Sequence, residues 1–194
     1  LKEHLILGKN STMSKQSHTL KTKNSKSSVP QNIFSSNHSH KYPKLCPFSK
    51  ISDIKGLNVL VMGLGLHGGG EASARFFLKH GAFVTIHNLE SDPSLDMTRA
   101  RFVLGRHEIQ DFQDADIVIK NPSIKIDQNP FLIHAEHIET DLSIFLRFTK
   151  APIIAITGSK GKSSTATAIY FGLQEAGFQA FLGGNITNSP LNFL

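Results

Sequence analysis

Lys162 and Ser163 are the residues of this chain whose type and spacing are best suited to chemistry. They close the loop Thr157-Gly158-Ser159-Lys160-Gly161-Lys162-Ser163-Ser164, where two glycines let the backbone turn its N–H groups toward one point. A lysine in such a loop is a mobile cation able to reach the β- and γ-phosphates of a nucleotide, and the adjacent serine can offer its hydroxyl to Mg2+. The expected phosphate contacts are Gly158, Ser159, Lys160, Gly161, Lys162, Ser163, Ser164 and Thr165. Ser163 would thus be the metal ligand. The spacing is Gly-x-x-Gly-Lys-Ser, with Ile156 at the position where the common phosphate loop has its first glycine.

A second glycine loop, Gly63-Leu64-Gly65-Leu66-His67-Gly68, meets the dinucleotide-binding fingerprint in spacing and context. The fingerprint does not choose the nucleotide. A nicotinamide enzyme usually places an acid at the end of the following strand to bind the ribose, whereas this chain has Asn88 there, with Glu90 two residues on. An amide can donate and accept, which suits the edge of a base as well as a hydroxyl. His67 reads equally as a plain loop residue and as a phosphate or base contact. His134 and His137, three apart, read as part of a solvated face rather than a metal site.

These groups require elements to hold them. Leu57 to Met62 is an apolar run of the kind found in a buried parallel strand, Glu71 to His80 has a helical pattern closed by Gly81, and Phe83 to Ile86 is a second strand. Arg101–Leu104 and Asp116–Ile119 read as further strands around a turn or brief helix at Ile109–Ala115, and Ile138–Phe148 as a helix or strand–helix joint. The alternation predicts an α/β, Rossmann-like doubly wound parallel sheet over residues 51–148, with Asn88, Asn121 and the first loop at its carboxyl edge. Residues 149–194 read as the truncated start of a phosphate-loop α/β domain: strand Ile153–Ile156, the loop, helix Thr165–Ala176, and strand Ala180–Leu182 ending in Gly183-Gly184-Asn185.

The chain has 194 residues, 39% of them apolar, enough for a sizeable core. Its net charge of +6 belongs to its beginning: residues 1–50 hold nine lysines against Glu3, while residues 51–194 carry a slight negative excess. The globular part therefore has no electrostatic footprint for nucleic acid. Segment 1–50, rich in Ser and Lys, reads as disordered: an extension with Met13 as a possible start, in preference to a transit peptide, because it lacks Arg. A single cysteine, Cys46, permits no internal disulfide and fits a reducing, cytoplasmic setting. No apolar run approaches the roughly 18 residues of a membrane span.

Together the two loops resemble the Mur ligases, ATP-dependent amide-bond-forming enzymes of peptidoglycan synthesis. Thr157 to Ser164 is similar to their ATP signature, T-G-[ST]-[NK]-G-K-[ST]-[ST], and Ala151-Pro152-Ile153 to Ile156 and Gly183-Gly184-Asn185-Ile186 fit as well. Val61 to Gly68 looks like the first loop of the D-glutamate-adding branch; the L-alanine-adding branch usually reads G-I-G-G-x-G. The resemblance covers about residues 54–194 and implies a first domain for a UDP-linked substrate, a central ATP domain and a C-terminal amino-acid domain. It implies ATP, bound by residues 158–165, and Mg2+ as cofactors, UDP-N-acetylmuramoyl-L-alanine and D-glutamate as partners, a monomer, and an acyl-phosphate mechanism in which Lys162 would be the catalytic residue, stabilising charge on the transferring phosphoryl group. Carried onto this sequence, Gly63, Gly65, Leu66, His67 and Gly68 would meet the pyrophosphate and uridine. Asn88 and Leu89 would border the uracil, Asn121 the same crevice, and Asn185 the muramoyl part. Asn88 replaces an acid common in the family, and Ser123 stands where Gly often follows Pro. The family's acidic Mg2+ ligand, modified lysine and third domain would fall beyond Leu194, so the chain reads as an N-terminal fragment, inactive alone. The alternatives are an NAD-dependent oxidoreductase and a non-catalytic UDP-sugar-binding fragment.

Overall fold

The structure is a computed structural model that describes residues 4–9, 48–65, 68–92, 94–95, 98–127, 129–184 and 188–194; for 4–9 it describes the backbone only. Five parallel strands form the larger sheet: β2 (Asn58–Met62), β3 (Phe83–Asn88), β4 (Ala100–Leu104), β5 (Ile117–Lys120) and β6 (Ile138–Glu139), in the order β4-β3-β2-β5-β6. The chain winds outward from β2 through β3 to β4, then returns to pair β5 on the other side of β2. This reversal makes the gap between the ends of β2 and β5 the switch point of a doubly wound fold.

Both faces of this sheet are covered, which explains the unbroken apolar run in β2. Val59 and Val61 face one side with Val84, Ile86, Ile117 and Ile119, under helices α1 (Gly69–Lys79) and α3 (Asp141–Phe148). Leu60, Met62 and Val118 face the other, under α2 (Ile109–Asp114) and the 3-10 turn Leu132–His134, with Phe112 and Leu132 fully buried. Helix α3 starts at a reciprocal cap between Thr140 and Ser143. The sequence reading placed the start of α1 at Glu71; the helix begins two residues earlier because Gly68, at φ 73°, turns the chain into it.

The smaller sheet has the order β7-β1-β8, with β7 (Ile153–Ile156) and β8 (Gln179–Gly184) joined by α4 (Lys162–Glu175). Its middle strand, β1 (His4–Lys9), runs antiparallel to both. The expectation of disorder for residues 1–50 is therefore corrected at this segment. A tail-wide composition hides the apolar run Leu5-Ile6-Leu7, and β7 and β8 present two strand edges that such a run can pair. Phe48 is buried in the larger core, so described order already begins three residues before Ile51. Met13, His38, His40 and Cys46 lie outside the described residues. The run Ile153–Ile156 is far less buried than its composition suggests, with Ile153 37% and Ile154 40% exposed, because α4 packs against only part of a three-stranded sheet. The last turn, Pro190–Phe193, leaves the smaller sheet and packs on α1 and α3, placing Leu191 in the larger core.

Candidate nucleotide-binding site

The register aligns His87, Met62 and Lys120 across β3, β2 and β5, so the next residues, Asn88, Gly63 and Asn121, stand level at the carboxyl edge. Three of the expected crevice residues are thus brought together. Asn121 accepts from the Ser123 N–H at 3.0 Å and the Ser123 hydroxyl at 2.8 Å, which turns its amide nitrogen toward the first loop. That nitrogen lies 3.3 Å from where a side chain on Gly65 would begin. Asn88 donates to the Glu90 carbonyl at 2.9 Å, and Leu89 is 81% exposed beside it. Leu66, His67 and Asn185 lie outside the described residues.

The glycines divide their tasks differently from the fingerprint. Gly63, Gly65 and Gly68 all have positive φ, as the turn requires. Close approach of helix to strand falls to Gly70, where a Cβ would lie 2.1 Å from the Gly63 carbonyl oxygen. The N–H groups of Gly70 and Glu71 both donate to the Leu64 carbonyl, and the Asp141 carboxylate lies against Gly69. The positive end of α1 is therefore partly used within the protein.

The second loop is open. Thr157 to Gly161 are exposed, Gly158 and Gly161 have φ of 152° and 77°, and no side chain caps the first turn of α4. The Lys162 ammonium curls back to donate to the Gly158 carbonyl, so the cation is held over the loop between its two glycines. Residues 158–165 thus run through an exposed loop into the N-terminus of α4, where backbone N–H groups are free of side-chain caps.

Other polar groups were not legible in the sequence. His87, 1% exposed, contacts His107 Nδ1 through its own Nδ1 at 3.0 Å and Asp111 Oδ2 through Nε2 at 2.8 Å, and Arg101 donates to the other Asp111 oxygen. Their separations of 20 and 24 residues carry no local pattern. Burial and then the neighbouring His87 hold the His107 pKa below the ordinary histidine value. The Ser189 hydroxyl donates to Asp141 at 2.8 Å, tying the chain end to the start of α3. Lys120, half-buried, donates to the Asn121 carbonyl at 3.3 Å. A cavity of about 320 Å3 opens beneath α2, lined by Asn58, Thr85, Arg101, Asp111 and Asp114 among others. It lies toward the amino ends of the strands, away from the glycine loop, so it is not the ligand crevice.

Comparison with known proteins decides the lineage. The chain is 48% identical over 153 residues to the UDP-N-acetylmuramoylalanine–D-glutamate ligase of Borreliella afzelii (strain PKo), covering 74% of this chain and 34% of the relative. It is also 48% identical over 153 residues to the ligase of that name from Treponema pallidum (strain Nichols), covering 73% and 29%. This chain belongs to the Mur ligase family. It spans about a third of the length of the curated relatives it matches, corresponding to their N-terminal part. No family profile matches the chain. Among solved structures, a D-2-hydroxyisocaproate dehydrogenase aligns with a TM-score of 0.29 at 22% identity over 37% of this chain and 20% of that one. An NAD-complexed 2-hydroxyacid dehydrogenase from Lactobacillus delbrueckii ssp. bulgaricus gives 0.34 at 16%, over 61% and 32%. Likeness at that level has no bearing on what this Mur ligase relative binds.

Proposed function

We propose that this chain is the UDP-substrate- and ATP-binding portion of a cytoplasmic, monomeric ligase that adds D-glutamate to UDP-N-acetylmuramoyl-L-alanine. The observation that carries this reading is the open loop with Lys162 folded over Gly158 at the start of α4, in a chain 48% identical to ligases of that name. In the proposed reaction the substrate carboxylate takes the γ-phosphoryl group of ATP, releasing ADP, and the D-glutamate amine then displaces phosphate from the acyl phosphate to form the amide.

The residues present fit a triphosphate. Lys162 would leave the Gly158 carbonyl and spread its charge over the transferring phosphoryl oxygens, while the backbone from Ser159 to Thr165 holds the phosphates in line. Among the described residues no group of three or more His, Cys, Asp or Glu could hold a metal. Ser163 would offer its hydroxyl to Mg2+ as one ligand. At the other edge, Asn88, Leu89 and Asn121 would frame the uridine diphosphate, with Leu66, His67 and Asn185 as further contacts. No helix among the described residues is long and apolar enough to cross a membrane.

Calorimetric titration of the full chain with UDP-N-acetylmuramoyl-L-alanine, ATP and NAD in turn tests the reading. Binding of the first two is expected, with Lys162→Ala weakening ATP at least about tenfold and sparing the UDP substrate. Binding of NAD alone would overturn it.

A further inference from the structure

Lys120 ends β5 at the switch point, level with Met62 and one residue before Asn121. Its ammonium has three donors. The Asn121 carbonyl takes one, and among the described residues no carboxylate lies within ion-pair distance of it. Four of the five arginines are paired: Arg75 with Glu71, Arg101 with Asp111, Arg106 with Glu108 and Arg147 with Glu139. Burial holds the Lys120 pKa below the ordinary lysine value, with no charge among the described residues to offset it. A cation that has lost water without gaining a counter-charge weighs against folding.

The first loop supplies the complementary deficit. Two N–H groups of the first turn of α1 are committed to Leu64, and the Asp141 carboxylate occupies space against Gly69. An anion lying over Gly63–Gly65 would meet less positive potential from the helix than the glycine pattern promises. It would need a cation from a neighbouring strand end, and Lys120 is on the adjacent one.

We propose that Lys120 is the anion-binding residue of this crevice, pairing with the diphosphate of a nucleoside-diphosphate ligand laid across the carboxyl ends of β2 and β5. The role rests on the crevice being a nucleotide site. On binding, the ammonium exchanges the Asn121 carbonyl for phosphate oxygens, and the Asn121 amide stays against the loop.

The test is calorimetry on the full chain carrying Lys162→Ala, so that the second loop does not take up the anion. Lys120→Met and Lys120→Arg are compared in that background, with uridine diphosphate, uridine and inorganic pyrophosphate as probes. Lys120→Met is expected to weaken uridine diphosphate and pyrophosphate at least about tenfold, as loss of one charge-assisted contact does, with uridine unchanged and Lys120→Arg retaining most of the affinity. Its melting temperature without ligand should not fall, since a half-buried cation with no counter-charge among the described residues is removed. Should Lys120→Met fail to fold, the salt dependence of the Lys120-containing protein decides, and an affinity for uridine diphosphate that does not fall with ionic strength overturns the proposal. Equal uridine diphosphate affinity with and without Lys120 overturns it and leaves the nucleotide reading intact. Lys120-dependent pyrophosphate binding with no added gain from uridine keeps the cation site and removes the uridine reading. Absence of binding for both anions overturns both.

Discussion

At the residue scale, the contact between His87 and His107 joins two Nδ1 atoms, so only one ring can donate there. A neutral His87 that gives its Nε2 proton to Asp111 must accept from His107. Protonating both rings breaks the contact, and burial already disfavours the charge on His107. A folded-state histidine pKa below its unfolded value, about 6.5, costs no stability above that pH and progressively more below it. The melting temperature is therefore expected to be lower at pH 5.5 than at pH 7.5. His107→Gln should shrink the difference without abolishing it, because burial, then Lys79, lowers the His80 pKa as well. An unchanged difference in His107→Gln would remove the pair from the account. None of this was visible in the sequence, where no local pattern singled out His87. Lys162 and Ser163 were visible, because all the parts of their loop are consecutive.

At the element scale, the junction of β2, the first loop and α1 depends on a glycine outside the fingerprint. Gly70→Ala would set a methyl group 2.1 Å from the Gly63 carbonyl and 2.7 Å from Leu64 Cα, and both are backbone atoms that can yield only if the loop lifts. Such overpacking costs about 1–3 kcal/mol, and the loop would no longer meet Asn121, so thermal melting and uridine diphosphate titration should both register the change. Gly69→Ala meets only the Asp141 side chain, which can swing aside, and should cost less. Asp141 in turn holds Ser189, so Ser189→Ala is expected to lose about 1.5–3 kcal/mol, the range for a hydrogen bond to a charged group. Hydrogen exchange should then show residues 188–194 opening before α3. The fingerprint spacing was readable, but the packing task of Gly70 was not, since it depends on where the strand carbonyl meets the helix.

For the whole molecule, the two sheets differ in how completely their cores are covered. The larger is packed on both faces, with Phe77, Phe112 and Phe145 fully buried, whereas beside the smaller one Phe171 and Phe178 stay 57% and 46% exposed. Exchange of the β7 and β8 amides is expected at lower free energy than that of β2 and β5. Removing residues 1–9 should lower that free energy further while leaving the larger sheet protected; equal protection with and without them would deny β1 its place. The alternation of apolar runs, glycine turns and helical periods was enough, by itself, to determine a doubly wound parallel sheet, and the resemblance of the two glycine loops pointed to the family, because each is written in contiguous residues. Tertiary structure alone decided that His4–Lys9 completes the smaller sheet and that Leu191 joins the larger core. It alone placed Lys120, with no counter-charge among the described residues, next to a loop whose helix end is already engaged. Those outcomes depend on partners far apart in the chain, whose meeting is fixed by strand order and packing and not by local spacing.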